Sequence, residues 1–161
     1  MRSARKIVVT LAASVMSLSA YQAVAAADET SVEPRTAGEI AECLVNPAIP
    51  NAAIVDRVPV SRPDTPQREF QLECGPMEIA GARHIHAGHP INNAVTFQRC
   101  YSAALVFGEK IPQQYSSLYR YTPAGGPTVE VATDDFDPFV LSAWTKGPNS
   151  ADWDGCSAAI P

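Results

Sequence analysis

Histidine is nearly missing from this sequence, and a basic charge excess, a membrane-length apolar run and a glycine-rich phosphate loop are missing altogether. Each absence removes a class of protein. Twelve Lys and Arg face 17 Asp and Glu, for a formal charge of −5. That balance lacks the cationic excess with which proteins grip nucleic-acid phosphates non-specifically, so any activity on RNA or DNA depends on a local cluster. The longest uncharged apolar stretch, residues 7–20, falls short of the roughly 20 residues needed to span a bilayer. There is no Ser-centred nucleophile elbow and no Cys–His nucleophile pattern. The four cysteines, Cys43, Cys74, Cys100 and Cys156, are too widely spaced for a zinc-ligand pattern.

What is present begins with an export signal. Arg2, Arg5 and Lys6 precede the apolar run, and small residues follow at Ala23, Ala25 and Ala27 in the spacing of a cleavage site. This order reads as a signal peptide over residues 1–25, cleaved after Ala25 or Ala27. The expectation is a secreted or periplasmic, monomeric chain with no membrane span. Without its three N-terminal cations the formal charge falls from −5 to −8, because 9 of the 12 basic residues then face 17 acidic ones. An even number of cysteines in an oxidising compartment reads as two disulfides. Three pairings exist, of which Cys43–Cys74 with Cys100–Cys156 is the expected one.

The rest of the chain reads as a flexible leader at 28–35 and a single exported domain at 36–161. A helix is expected over 36–45, with Thr36 and Glu39 in capping-box spacing and Pro47 as its stop. A proline-rich connection follows, carrying an edge strand at 54–60, and then alternation marks a strand at 68–74. Apolar residues recur every three to four positions from 94 to 107, between Asn93 as cap and Gly108 as terminator. Strand-like runs at 116–121, 128–133 and 139–145 suit an antiparallel meander. The tail after Lys146 reads as irregular. The fold class is therefore α+β: a small antiparallel sheet, made of a three-strand C-terminal meander plus one or two edge strands, with two short helices and two disulfide staples.

All three histidines, His84, His86 and His89, fall in "ARHIHAGHP". If the segment were a strand, His84 and His86 would share a face and His89 could complete three nitrogen donors for Zn or Cu. The H-x-H is similar to the metal motifs of metallo-β-lactamase-like and cupin folds. Gly88 stands where the first requires aspartate, however, and the second's glutamate and further histidine motif are lacking. The other chemistry is acid/base catalysis without a cofactor, since imidazole can accept or donate a proton near neutral pH. Cleavage of RNA without metal needs a base, an acid and a cation. Arg83, Arg99 and Lys110 are the available cations.

Residues 80–146, with "ARHIHAGHP" ahead of a helix and then "YRYTPAGGPTVEVATDDFDPFVLSAWT", resemble bacterial toxin ribonucleases of the barnase–EndoU–RelE-like group. The resemblance implies a metal-independent endoribonuclease acting on RNA and leaving 2′,3′-cyclic phosphate ends. His84 and His89 would be its acid and base, Arg99 or Lys110 would stabilise the phosphate charge, and Ser142 or Thr145 would donate to the phosphate. The competing class is a non-enzymatic exported binding protein, directed at a metal through His84, His86 and His89 or at another protein. The tyrosines Tyr115, Tyr119 and Tyr121 read as one wet face of a sheet. The acidic loop of Asp134, Asp135 and Asp137 reads as a solvated turn.

Overall fold

A computed structural model describes residues 35–62 and 65–161. The expected signal peptide at 1–25, its cleavage sites and residues 28–34 of the expected leader lie outside the described residues. Arg35, the last residue of that leader, already belongs to the first helix. In chain order the elements are α1 (Arg35–Val45), β1 (Ile54–Arg62), β2 (Thr65–Glu73), α2 (Ala82–Gly88), α3 (Ala94–Phe107), β3 (Glu109–Pro112), β4 (Ser116–Tyr121), β5 (Thr128–Asp134), β6 (Val140–Lys146) and α4 (Trp153–Ala159). The class is α+β, with four described helices and two antiparallel sheets. Two disulfides, Cys43–Cys74 and Cys100–Cys156, are paired as expected. Among the described residues no helix is long and apolar enough to cross a membrane.

Three local expectations need correction. The early strands are not edge strands of the meander. β1 and β2 form their own hairpin, which meets the larger sheet where Gln71 N–H donates to Pro138 O at 2.7 Å and Arg68 donates to Asp135 O at 3.2 Å. The meander has four strands in the order β3-β4-β5-β6, because the chain turns straight from α3 into β3. The two expected helices are joined by two more. α2 holds the histidines, and α4 occupies the tail that reads as irregular. Asp152 caps α4 by accepting from Gly155 N–H at 3.0 Å, and Trp153 and Cys156 face inward.

Side-chain alternation fixes which face of the meander is covered. Tyr119, Val131 and Ala143 lie side by side across β4, β5 and β6 and are all buried. α3 and the β1–β2 hairpin cover this face. Phe70 of β2 meets Tyr119 edge-on with ring centroids 5.3 Å apart. Beneath α3, Phe97 stacks on Tyr101 at 4.9 Å and meets Trp153 edge-on at 5.0 Å. Tyr119 thus belongs to the core rather than to a wet face. Expecting a wet face assumed that the tyrosines point away from the helix, which alternation alone does not decide.

α3 starts and stops for separate reasons. Asn93 accepts from Val95 N–H at 3.0 Å and Thr96 N–H at 3.4 Å, satisfying two of the orphan donors of the first turn. Gly108 ends the helix by close approach and not by a left-handed conformation. Its φ is −70°, but a Cβ there would stand 2.3 Å from Ala104 O. Arg62 donates to the carbonyls of Leu105 and Gly108, placing a cation on the negative end of the helix. At mid-helix, buried Gln98 and Tyr101 donate to Oδ2 of Asp56, which is 4% exposed on β1. Burial, followed by the charge of Asp56, pushes the Tyr101 phenol well above its ordinary range, so it remains a donor.

Candidate functional site at the histidine segment

The histidine segment is placed by a tight loop. Gly75 (φ 71°) and Gly81 (φ 89°) both adopt the left-handed region, and the chain doubles back between them. A Cβ on Gly75 would fall 1.8 Å from Ala80 O. The Cys43–Cys74 disulfide anchors the entry, and Gly81 N–H donates to Leu141 O at 3.2 Å at the exit. α2 follows at once, with Ala82 and Ile85 facing the core.

Arg83 locks this helix to α1. Its guanidinium donates to Cys43 O (3.2 Å), Asn46 O (2.9 Å), Ile49 O (3.1 Å) and Asn51 Oδ1 (2.9 Å). A side chain spent on four acceptors closes the C-terminal end of α1 and is not free to meet a phosphate.

The histidines lie on this helix and at its C-terminal cap, not on a strand. Residues two apart on a helix are rotated by about 200° about its axis, so His84 and His86 diverge. Each ring has its own partner. His84 Nδ1 donates to Met77 O at 3.0 Å, because a carbonyl only accepts, and this leaves Nε2 of the neutral ring as a lone pair. His86 Nδ1 accepts from Ile91 N–H at 3.0 Å, which puts the proton of the neutral ring on Nε2. His89 Nδ1 lies 3.0 Å from Ser150 Oγ, and its ring sits 6.1 Å from that of Trp144. Burial, then the charge of His84, lowers the His89 pKa below its ordinary value, while Ser150 opposes the shift. No three His, Cys, Asp or Glu side chains among the described residues gather as a metal would require. The three-nitrogen arrangement for Zn or Cu fails because the backbone here is helical.

The other residues named from sequence are dispersed. Arg99 donates to Ile160 O at 2.8 Å and Pro161 O at 3.1 Å, sharing no contact with the histidines. Lys110 is exposed on β3, opposite Tyr119. Ser142 is half-buried on β6, on the face of the meander away from α3, with Trp144 next along that face. Thr145 is buried and employed by the following turn, donating to Asn149 O at 2.9 Å and accepting from Asp152 N–H at 2.9 Å. Only His84 and His89 share an electrostatic environment. On the same outer face Glu130 is buried, and burial alone would raise its pKa. Lys146 at 2.8 Å and Arg120 at 2.6 Å outweigh that and hold the carboxyl below its ordinary range.

Four apolar side chains stand exposed on α1, on the loop before α2 and on α3. Val45 at the end of α1 is 81% exposed, Ile79 in the preceding loop 74%, and Met77 there and Val95 in the first turn of α3 each 58%. A groove of about 190 Å³ runs along the same helices, lined by Ala41, Leu44, Val45, His86, Ile91, Asn92 and Ala94. Sequence reasoning missed these residues. Val45 and Val95 fall in helix patterns without marking themselves as exposed, and only the packing reveals them. No protein-family model matches the chain, and no curated protein matches it.

Proposed function

We propose that this chain is an exported, disulfide-stapled binding module that docks a protein partner through the end formed by α1, α2 and α3. The observation that carries this reading is the exposure of four apolar side chains on α1, the 75–81 loop and the first turn of α3: Val45, Met77, Ile79 and Val95. Large apolar groups held in water on pinned elements are characteristic of interaction surfaces. The pinning combines a disulfide, two glycines at positive φ and the four-acceptor Arg83. A pre-organised surface loses little conformational entropy on association. The two disulfides, together with the N-terminal pattern, support export.

Chemical cross-linking of the oxidised protein in its own exported fraction tests the reading. Cross-links on this chain are expected at α1, the 75–81 loop and the start of α3, and are expected to vanish in a Val45→Asp/Ile79→Asp/Val95→Asp variant that keeps its fold. A partner cross-linked elsewhere and indifferent to those substitutions overturns it.

A second reading, the metal-independent endoribonuclease, is favoured by one observation: His84, when protonated, lowers the His89 pKa through its charge, so the two rings are electrostatically linked. That pair has the ingredients of a base and an acid, while Arg99 and Arg83 are engaged elsewhere. Cleavage of end-labelled RNA in excess EDTA, with cyclic phosphate ends and loss in His84→Ala/His89→Ala, would replace the binding reading with this one.

A further inference from the structure

Each sheet of this molecule has an outer strand, β1 in one and β3 in the other, and hydrogen-bond phase decides what those edges offer. In an antiparallel pair the N–H and C=O of one residue point to the same side, and the side alternates along the strand. Gln71 N–H donates to Pro138 O at 2.7 Å, away from β1, so its partner Arg57 turns its own N–H and C=O away from β2. The register is unbroken from Asp56 to Val60, so Pro59 shares that outward phase. On β3, Gln113 N–H donates to Ser116 O at 2.9 Å across the turn, which directs Pro112 and Lys110 outward. The far side of β6 is occupied instead, since Leu141 O accepts from Gly81 N–H at 3.2 Å and Thr145 N–H donates to Ser150 O at 3.0 Å.

The outward positions are short of donors. Proline has no N–H, and Pro59 and Pro112 stand where a strand added at the edge would need one. The Arg57 N–H is taken by Oδ1 of its neighbour Asp56 at 2.8 Å. That carboxylate is held in place from the core, because Gln98 and Tyr101 of α3 both donate to its other oxygen. Of the outward residues Arg57, Pro59, Lys110 and Pro112, Lys110 alone has an N–H neither spent on Asp56 nor lost to proline. Its side chain is a charge at the edge, which pairing with a neighbour would desolvate. Arg57 and Glu69, paired at 2.7 Å on the exposed face of the hairpin, add charges beside the β1 edge.

We infer that both outer edges are guarded against strand addition, and that Asp56, fixed by the core, is with Pro59 the guard of the longer one. The strand refused is that of a second copy of this chain. Antiparallel copies of β1 meeting about residue 59 would set Pro59 opposite Pro59, where each strand lacks the donor that the other needs. Self-association through β1 or β3 is thereby blocked, and a protein partner is met through side chains rather than through a shared sheet. The guard operates independently of any docking at the end formed by α1, α2 and α3.

The test restores the missing donor with Pro59→Thr in the full oxidised protein. Sedimentation velocity from micromolar to millimolar concentration reads association, and amide hydrogen exchange reads the edge itself. Glu69→Thr is the control: it stands opposite residue 59 on β2 and puts the same side chain on that face without a new edge donor. Wild type and Glu69→Thr are expected to stay monomeric. Pro59→Thr should self-associate at least about tenfold more tightly than wild type, as two hydrogen bonds form across the axis. Its residue-59 amide should exchange freely in dilute solution and become protected on association. The Arg57 amide of wild type should exchange slowly at every concentration. Should Pro59→Thr fail to fold, Pro112→Thr on β3 replaces it. A folded Pro59→Thr variant that stays monomeric overturns the inference, as does a residue-59 amide already protected in the monomer. Equal association of Glu69→Thr, or wild type that pairs through β1 or β3, overturns it as well.

Discussion

Two polar clusters in this molecule invert each other. Asp56, Gln98 and Tyr101 are scattered over more than 40 positions, carry no motif, and meet in the core within one hydrogen-bonded knot. His84, His86 and His89 are crowded into one short segment, and the fold sends their rings to three different partners. Proximity along the chain is a property of spacing, whereas proximity in space depends on the backbone that carries the spacing. A helix separates neighbours two apart, while a β1–α3 packing joins residues that no local pattern connects.

The largest expected effect comes from opening the scattered cluster. Asp56→Ala leaves the Gln98 amide and the Tyr101 hydroxyl buried without their acceptor. It should destabilise the fold by about 3 kcal/mol, each orphaned buried donor costing about 1–3 kcal/mol. In a double-mutant cycle Asp56→Ala and Tyr101→Phe should be strongly non-additive in urea unfolding. Single alanine substitutions of His84 and His86 should each cost under about 1 kcal/mol. If a histidine substitution costs as much as Asp56→Ala, the contrast between the two clusters breaks.

Next comes the loop that delivers the histidines. Gly75→Ala forces a Cβ into Ala80 O at a left-handed φ and should cost at least about 2 kcal/mol, read as a drop in Tm. Gly125→Ala also meets a positive φ, but with open space around it, and should cost less. The two arginines named as cations sharpen the difference between a clamp and a tether. Arg83→Met should lower stability by about 2 kcal/mol, as four acceptors lose their donor, whereas Arg99→Met should change it by less than about 0.5 kcal/mol. Equal effects would mean that Arg83 is not the lock between α1 and α2.

The smallest effect is in pH. Burial and the charge of His84 lower the His89 pKa from its ordinary 6.5, so the unfolded chain binds that proton more tightly. The associated stability is fully present above about pH 6.5. It is lost as the pH falls through the folded-state value below that. His89→Gln should remove this shallow slope in Tm. The salt-bridged Glu130 has the opposite kind of group but the same direction of loss. Its contribution is present above its ordinary 4.5 and disappears as the pH falls through a lower folded value. The two windows are separable, and Glu130→Gln should alter only the more acidic one.

Much of the architecture can be read before folding because it follows from local rules. Asn93 and Gly108 bracket α3, and the meander strands alternate as half-covered strands do. Both disulfides match the expected pairing. Other elements elude such rules. α4 is a short helix within a turn-rich tail, anchored by Asp152 and by the buried Trp153, and its stability comes from packing on α3 rather than from periodicity. α2 holds two histidines and a glycine within seven residues. It exists because Ala82 and Ile85 are buried, Gly81 is pinned to Leu141, and Arg83 is bound to α1.

The candidate site divides along the same line. Residue types, their order and the acidic balance are written in the chain; they draw attention to the histidine segment and argue against non-specific nucleic-acid binding. Whether those rings converge, which nitrogen carries the proton and which apolar side chains stay in water depend on long-range contacts. His86 is a donor at Nε2 because Ile91 N–H reaches its Nδ1. Val45 stands 81% exposed at the end of α1, a helix that Arg83 and the Cys43–Cys74 bridge tie to the loop before α2 and to α2 itself. Composition and period are local quantities. Convergence, tautomer and exposure are set by packing between segments that lie far apart in the chain.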